Sequence, residues 1–277
     1  MEINAVFQKK IRRVGTLETI DLEDNLAVEE PLEIRLKYLE AGKFREKSIS
    51  VTMRTPGNDE ELAAGFLFTE GIIRNADQVE SIQVSVLKEN SVLVTLADNF
   101  SPGLNTLERN FYTTSSCGVC GKASIDAIKT VSVFAENQNT VRVDKETLLT
   151  LKDKISESQL VFENTGGLHA SALFDLKGNL ITLREDVGRH NALDKLIGNM
   201  FMDNILPLSS HILLLSGRAS FELIQKASMA GIQIVAAIGA PSSLAVELAE
   251  ESGITLIGFL KNDRFNVYTG FDRIEGI

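Results

Sequence analysis

Several features that identify whole classes of protein are scarce in this 277-residue chain. It contains only two cysteines, which excludes a disulfide framework and favours a reducing compartment. No apolar run approaches the roughly 18 residues of a membrane span. Basic residues number 28 against 38 acidic ones, giving a formal charge of −10. This excess of negative charge argues against nonspecific electrostatic binding to nucleic acid or anionic lipid. We therefore expect neither nucleic acid nor a membrane among its partners.

Export and nucleotide-binding motifs are also missing. Basic residues at 9, 10, 12 and 13 resemble the start of a twin-arginine signal, but residues 14–25 are polar and acidic where about 7 to 15 apolar residues should follow. We therefore expect a cytoplasmic protein. No Gly-x-Gly occurs, which removes the dinucleotide fingerprint, and residues 116–123 resemble a P-loop only in Gly121-Lys122.

The composition is that of a globular protein, with 44% hydrophobic and 24% charged residues. Alternating residues at 48–54, 81–87 and 91–96 predict strands, and Asn58 followed by Glu61 predicts the capped start of a helix between them. We assign residues 1–110 to a smaller, strand-rich N-terminal domain. A Ser-, Thr-, Asn- and Gly-rich stretch at 98–121 indicates a long mobile loop that ends in the cysteine pair.

Helices and strands alternate after this loop, which predicts an α/β domain over 111–277 and an α+β chain overall. Continuous apolar strands are typical of a sheet covered by helices on both faces, so we expect a three-layer αβα domain with at least three parallel strands. The predicted helices are 122–131, 145–156, 190–202, 221–230 and 243–251, and the predicted strands are 169–174, 180–184, 211–215, 232–238 and 254–260.

Polar loops follow three consecutive predicted strands, where ligands of open α/β sheets bind. The first contains Gly217 and Arg218, the second Ser242, and the third two cations, Lys261 and Arg264. A further loop places Arg189 and His190 at a helix start. Small residues and hydroxyls before helices offer backbone N–H groups to phosphate, which predicts a site for a phosphorylated, nucleotide-like ligand. Ordinary turn chemistry also uses Gly and Ser, and it stays the alternative.

The segment Cys117-Gly118-Val119-Cys120 has four interpretations. It could supply two thiolates to a zinc site completed by a histidine, although a second cysteine pair is missing. It has dithiol redox spacing, but not the usual position early in a βαβ unit. Cys117 could be a nucleophile, since a glycine-flanked loop, a following helix and Lys122 favour the thiolate. The fourth interpretation is two small buried residues without chemistry.

The three histidines differ in their surroundings. His211 begins an apolar strand and is expected to pack or cap. His169 and His190 follow glycines, which let a ligand approach closely, and are better candidates. Asp186, Arg189 and Asp194 are either part of a site or a solvated ion-pair network, the commoner fate of such charges.

Taken together, these residues resemble the FdhD family of formate dehydrogenase accessory sulfurtransferases over roughly residues 30–270. The motifs that carry the resemblance are 114–121 (TSSCGVCG), 165–170 (TGGLHA), 184–195 (REDVGRHNALDK), 216–218 (SGR) and 239–245 (GAPSSLA).

The resemblance implies a protein that takes sulfane sulfur from a cysteine desulfurase and delivers it to the molybdenum bis(molybdopterin guanine dinucleotide) cofactor before that cofactor enters formate dehydrogenase. Cys117 would carry the persulfide, with Cys120 assisting transfer or resolving it. The resemblance also implies a homodimer and a second half similar to the cytidine deaminase fold. The expected cofactor-binding residues are Phe259, Leu260, Lys261, Asn262, Asp263 and Arg264, joined by Gly217, Arg218, Ser242, Arg189 and His190. Lys261 and Asn262 depart from the arginine and the small or acidic residue that are common in the family.

Two other functions compete with this one. Zinc deaminases carry His-x-Glu and a proline before the first cysteine, whereas here Ala170 and Ser171 follow His169 and Ser116 precedes Cys117. The second alternative is a non-catalytic chaperone that only holds cofactor. We expect no resident metal.

Overall fold

The computed structural model describes residues 5–85, 90–102, 134, 141–158 and 165–277. The predicted helix at 122–131, most of the predicted loop at 98–121 and the predicted domain boundary after residue 110 lie outside the described residues, as do Cys117 and Cys120.

The N-terminal part forms a hairpin and a four-stranded sheet in the order β4-β3-β6-β5. The predicted strands at 48–54 and 91–96 are confirmed, and so is the helix between them. The hairpin strands and β3 were not among the specific predictions. The elements are β1 (Val6–Val14), β2 (Thr19–Ala27), β3 (Glu30–Glu40), β4 (Lys43–Arg54), α1 (Asp59–Thr69), a one-turn 3-10 helix (Ala76–Gln78), β5 (Val79–Val84) and β6 (Ser91–Leu96).

Helix α1 begins where predicted but is not capped as predicted. Asn58 has a φ of 56° in the left-handed region, and its side chain makes no capping hydrogen bond. In that conformation the residue turns the chain out of β4, because Asn tolerates positive φ better than most residues. Acidic residues in the first turn, Asp59, Glu60 and Glu61, complement the helix dipole instead.

The second part is built on a six-stranded sheet in the order β13-β12-β11-β10-β8-β9. β10 pairs with β11 and β11 with β12, both in parallel, so the expectation of three parallel strands is confirmed. The other pairs are antiparallel. The strands are β8 (His169–Asp175), β9 (Leu180–Asp186), β10 (His211–Leu215), β11 (Ile234–Ala237), β12 (Thr255–Gly258) and β13 (Asn266–Thr269), while two short strands, β7 (Val143–Asp144) and β14 (Ile274–Glu275), pair apart from this sheet.

Helices cover both faces of the sheet, as the continuous apolar strands predicted. The helices of this part are α2 (Lys145–Ser158), α3 (Arg189–Met202), α4 (Phe221–Met229) and α5 (Ser243–Glu251). One buried cluster joins Leu213 and Val235 to α3, α4 and α5, and another joins Ile212 and Ile234 to α2. The described part of the chain contains no helix long and apolar enough to cross a membrane.

Helices α1 and α3 cross in nearly direct backbone contact. A Cβ atom on Gly65 would lie 1.8 Å from the Asp194 carbonyl oxygen, and one on Gly198 would lie 1.8 Å from the Glu61 carbonyl oxygen. Only glycine fits at either position unless the helices separate. The crossing lies in the cluster that also contains buried residues of β3 and β6, so one core runs from the four-stranded sheet to the six-stranded sheet.

Candidate functional site

Five chain segments meet at one edge of the six-stranded sheet. β10, β11 and β12 end there because they are parallel neighbours. β9 also ends there, and β8 begins there, since β8 is antiparallel to both β9 and β10. Helices α3, α4 and α5 each begin shortly after one of these strand ends, so three helix N-termini are offered at this carboxyl edge.

Backbone hydrogen bonds join the loops that follow β10, β11 and β12 into one connected layer, here called the ribbon. The Gly239 N–H donates to the Gly217 carbonyl oxygen at 2.9 Å, and the Phe259 N–H donates to the Gly239 carbonyl oxygen at 3.1 Å. Ala219 and Pro241 form an isolated parallel bridge. The strand-end residues predicted from separate motifs therefore occupy adjoining positions.

Glycines allow the loops of this ribbon to pack closely. A Cβ atom on Gly239 would lie 2.9 Å from the Gly217 carbonyl oxygen, so the ribbon requires glycine there. A Cβ atom on Gly217 would lie 3.3 Å from His169 Nδ1. A side chain on Gly217 would therefore crowd the His169 ring, and glycine lets the two lie close together.

Phe259 is held in an unusual conformation at the end of β12. Its φ is 52°, in the left-handed region, and its side chain is 45% exposed. Bulky residues adopt positive φ only where the surroundings impose it, and such strain clusters at binding sites. Here the Phe259 and Leu260 N–H groups are both bonded to the β11 strand and its loop. The conformation presents an aromatic ring at the carboxyl edge.

The next residues form an exposed turn. The Lys261 N–H donates to the Arg264 carbonyl oxygen at 2.9 Å, and the four side chains of this turn are exposed. Asn262 Nδ2 donates to Asp153 Oδ1 of α2 at 2.7 Å, and Arg264 lies 3.5 Å from Asp263. Leu260 is fully buried in the core and its N–H is bonded to the Ala237 carbonyl oxygen, so it supports the turn and is not exposed to a ligand.

Ser242 lies at the start of α5, and Arg189 and His190 lie at the start of α3. Ser242 caps α5, since its hydroxyl accepts a hydrogen bond from the Ala245 N–H at 3.3 Å. His190 Nε2 lies 3.3 Å from Glu222 Oε2, so His190 is engaged by the first turn of α4. Arg189 has a buried Nε without a hydrogen-bond partner among the described residues. An unsatisfied cationic donor at a helix N-terminus favours an anionic ligand.

His169 is uncharged at neutral pH. Half-burial, and after it the positive charge of Arg189, lower its pKa, while Asp186 acts in the opposite direction with a smaller effect. Its ring can therefore accept a hydrogen bond on one nitrogen.

A buried ion pair fixes the loop between β9 and α3. Asp186, with no exposed surface, lies 2.7 Å from Lys195 Nζ, and it accepts hydrogen bonds from the N–H groups of Gly188 (2.8 Å) and Thr55 (3.1 Å). Lys195 also donates to the Thr55 carbonyl oxygen at 2.8 Å. Burial raises the pKa of Asp186, and Lys195 opposes that rise. The pair holds the loop that carries Arg189 against the end of β4.

A second buried pair lies one residue away on α3. Asp194 Oδ2 is 2.9 Å from Lys226 Nζ of α4, and Thr69 of α1 donates to Asp194 Oδ1 at 2.8 Å. Burial by itself would lower the pKa of Lys226, but Asp194, Glu70 and Glu222 raise it by more. Of the two alternatives left open for Asp186 and Asp194, the solvated network is therefore excluded, because both carboxylates are buried and paired.

The structure brings together the loops that carry Gly217, Arg218, Ser242 and Phe259, with Arg189 and His190 at the start of α3. The exposed turn that begins at Lys261 follows the same ribbon. Sequence reasoning missed Lys195 and Lys226 as residues that fix the edge. A signal was present, because each lysine lies in a helix among apolar residues, where a cation needs a buried partner. Among the described residues no group of three or more His, Cys, Asp and Glu is placed to hold a metal ion.

Comparisons with known proteins agree with one another. Residues 27–275 match the FdhD/NarQ family model. A protein from Streptomyces avermitilis named Sulfur carrier protein FdhD is 49% identical over 275 residues, covering 96% of this chain and 95% of that protein. The protein of the same name from Mycobacterium tuberculosis is 46% identical, covering 98% and 99%. A crystal structure of a candidate formate dehydrogenase accessory protein from Desulfotalea psychrophila shares the fold, with a TM-score of 0.73 at 22% identity, covering 98% of this chain and 99% of that one.

Proposed function

This chain belongs to the FdhD/NarQ family, and on that premise we propose that it is a sulfur carrier for formate dehydrogenase. It accepts sulfane sulfur from a cysteine desulfurase and delivers it to the molybdenum bis(molybdopterin guanine dinucleotide) cofactor, acting as a cytoplasmic homodimer. The observation that carries the proposal is the nearly full-length similarity to proteins named as sulfur carriers. The chain's only two cysteines, three positions apart, supply the thiols that such a role requires.

Sulfur loading follows from thiolate chemistry. The Cys117 thiolate attacks the terminal sulfur of a persulfide on the desulfurase, a new S–S bond forms on Cys117, and the desulfurase cysteine leaves as a thiolate. The terminal sulfane sulfur would then pass to molybdenum, a metal soft enough to accept it. The S–S bond breaks, Cys117 leaves as a thiolate, and the two electrons that turn the transferred sulfur into a sulfido ligand would come from the reduced, Mo(IV) form of the acceptor.

The carboxyl edge supports recognition of the acceptor. A guanine dinucleotide brings a planar base and a pyrophosphate. The exposed Phe259 ring offers a stacking surface for the base. Arg189, Arg218, Lys261 and Arg264, with the N-termini of α4 and α5, offer positive charge and N–H groups to the pyrophosphate. The neighbouring His169 is neutral and does not add to this charge.

Binding of GDP, which stands for one half of the dinucleotide, tests this assignment. We expect Phe259→Ala to weaken GDP binding roughly tenfold, since stacking of a base on an aromatic ring is worth about 1–3 kcal/mol. Phe44→Ala is the matched control, because Phe44 is 55% exposed on β4. Isothermal titration calorimetry measures both. Equal affinity of the Phe259→Ala variant and the parent would remove Phe259 from the site.

The alternative functions make different predictions. A zinc deaminase needs a His-x-Glu acid, which this chain lacks at His169, and the likeness to the cytidine deaminase fold is proposed for the architecture alone. A chaperone that only holds cofactor needs no thiol. We therefore expect Cys117→Ala to abolish formate dehydrogenase activity in a bacterial strain deleted for its own family member, measured by formate oxidation in extracts. Full activity with this variant would favour the chaperone.

A further inference from the structure

The side chain of Asn191 lies in the first turn of α3 but bonds away from its own helix. Its Nδ2 group donates to the Met53 carbonyl oxygen at 2.8 Å and to Asp186 Oδ1 at 3.2 Å. Its Oδ1 atom accepts a hydrogen bond from Thr52 Oγ1 at 3.2 Å. Both ends of the amide are therefore bonded within the protein, and the residue is only 9% exposed.

These bonds join two parts of the molecule that are far apart in sequence. Thr52 and Met53 belong to β4, an edge strand of the four-stranded sheet. Asn191 belongs to α3 of the second part, and Asp186 is the last residue of β9. The amide of Asn191 thus lies where the end of β4, the end of β9 and the start of α3 meet.

The start of α3 has a glycine where many helices have a capping side chain. The N-cap residue is Gly188, and among the described residues no side-chain capping hydrogen bond forms there. A Cβ atom on Gly188 would lie 3.2 Å from Asn191 Nδ2 and 3.4 Å from Asp186 Oδ1. Glycine therefore lets the amide and the carboxylate lie against the loop. It also leaves the first N–H groups of α3 without a capping side chain.

We propose that Asn191 is a positioning residue for recognition of the acceptor, because it fixes the first turn of α3 on β4 and thereby sets the position of Arg189. This role rests on the proposed function, in which Arg189 binds the pyrophosphate of the cofactor. Arg189 lies two residues before Asn191, in the same helical turn. A binding group must be held within about 0.5 Å of its productive position. Asn191 acts only through the helix start, since its own polar atoms are already bonded.

Asn199 provides a matched comparison within the same helix. Its Nδ2 group donates to Glu61 Oε1 of α1 at 3.2 Å, and its Oδ1 atom accepts from Thr182 Oγ1 at 3.4 Å. Asn199 therefore also joins α3 to the N-terminal part through both ends of its amide. It lies roughly two turns further along the helix than Asn191, away from Arg189.

Replacing each asparagine by leucine separates positioning from general stabilisation. Leucine has a similar size and makes no side-chain hydrogen bonds. Asn191→Leu is expected to weaken binding of GDP about tenfold, the order expected for loss of one charge-assisted hydrogen bond. Asn199→Leu is expected to change the affinity by less than about twofold, because distant sites act independently. Isothermal titration calorimetry measures the affinities, and urea denaturation shows that each variant is folded.

A double-mutant cycle tests whether Asn191 acts through Arg189. Arg189→Met removes the guanidinium and is expected to weaken GDP binding. Addition of Asn191→Leu to Arg189→Met is then expected to cause no further loss, because there is no guanidinium left to position. Additive losses in the cycle would overturn the proposal, since they would show that Asn191 acts independently of Arg189.

A milder substitution keeps the test decisive if Asn191→Leu does not fold. Thr52→Val removes only the hydrogen bond to Asn191 Oδ1 and keeps the shape of the side chain. It is expected to weaken GDP binding about threefold, in keeping with loss of one neutral hydrogen bond. Parental affinity in this variant would overturn the proposal.

The outcomes also separate this role from the proposed function. A parent that binds no GDP would overturn nucleotide recognition at the carboxyl edge, and the role of Asn191 with it. A parent that binds GDP, with Arg189→Met weakened and Asn191→Leu unchanged, would overturn only the role of Asn191. Equal losses in Asn191→Leu and Asn199→Leu would do the same, because they would show a general effect of loosening α3.

Discussion

Replacing Lys195 by methionine is expected to lower the free energy of unfolding by about 3–5 kcal/mol, the usual cost of breaking a buried ion pair from one side. Methionine fills similar space but leaves the Asp186 carboxylate without a counter-ion at a site with no exposed surface. The exposed Lys177→Met, in the β8–β9 turn, is the control and is expected to change stability by less than about 0.5 kcal/mol. Urea denaturation followed by circular dichroism measures both variants.

The loss of stability caused by Lys195→Met is also expected to depend on pH. Burial already raises the pKa of Asp186, and loss of Lys195 raises it further. Between the unfolded and folded pKa values the native state binds more protons, so the variant gains stability as the pH is lowered from 7 towards 5. The double variant Asp186→Asn with Lys195→Met removes the unpaired charge and is expected to recover part of the loss. A Lys195→Met protein as stable as the parent would show that the pair does not hold this loop.

Much of the second half could be predicted from the sequence. Strand β10 and helix α5 have the predicted bounds, because a continuous apolar run and a serine cap are local signals. Because β10 and β11 are parallel, the loops that follow them lie at the same edge of the sheet. The closeness of Gly217 and Ser242 therefore follows from the fold class. The same reasoning missed β13, the short antiparallel strand at the edge of the sheet.

The hairpin and the buried charges could not be predicted in the same way. In β1 the apolar residues Phe7 and Ile11 alternate with Lys9 and Arg13, so the strand period is hidden by cations. Asp186 and Lys195 are nine positions apart, and burial of their pair depends on how β4 packs on α3. Such contacts depend on tertiary packing, which local sequence patterns do not encode.

Cys117 is expected to be indispensable for sulfur loading. Persulfide formation requires a thiolate that reaches the desulfurase sulfur, and alanine supplies neither nucleophile nor acceptor atom. Cys120→Ala is the matched variant, because it removes the other thiol three positions away. We expect it to load sulfur but to deliver sulfur more slowly, since Cys120 assists transfer or resolves the persulfide. Delivery at the parental rate would show that Cys120 is dispensable.

The most direct test is intact-protein mass spectrometry after incubation with a cysteine desulfurase and cysteine. The parent and the Cys120→Ala variant are expected to gain one sulfur atom that a thiol reductant removes, and Cys117→Ala is expected to gain none. A parent that gains no sulfur, or a Cys117→Ala variant that gains as much as the parent, would contradict the assignment of this chain as a sulfur carrier through Cys117.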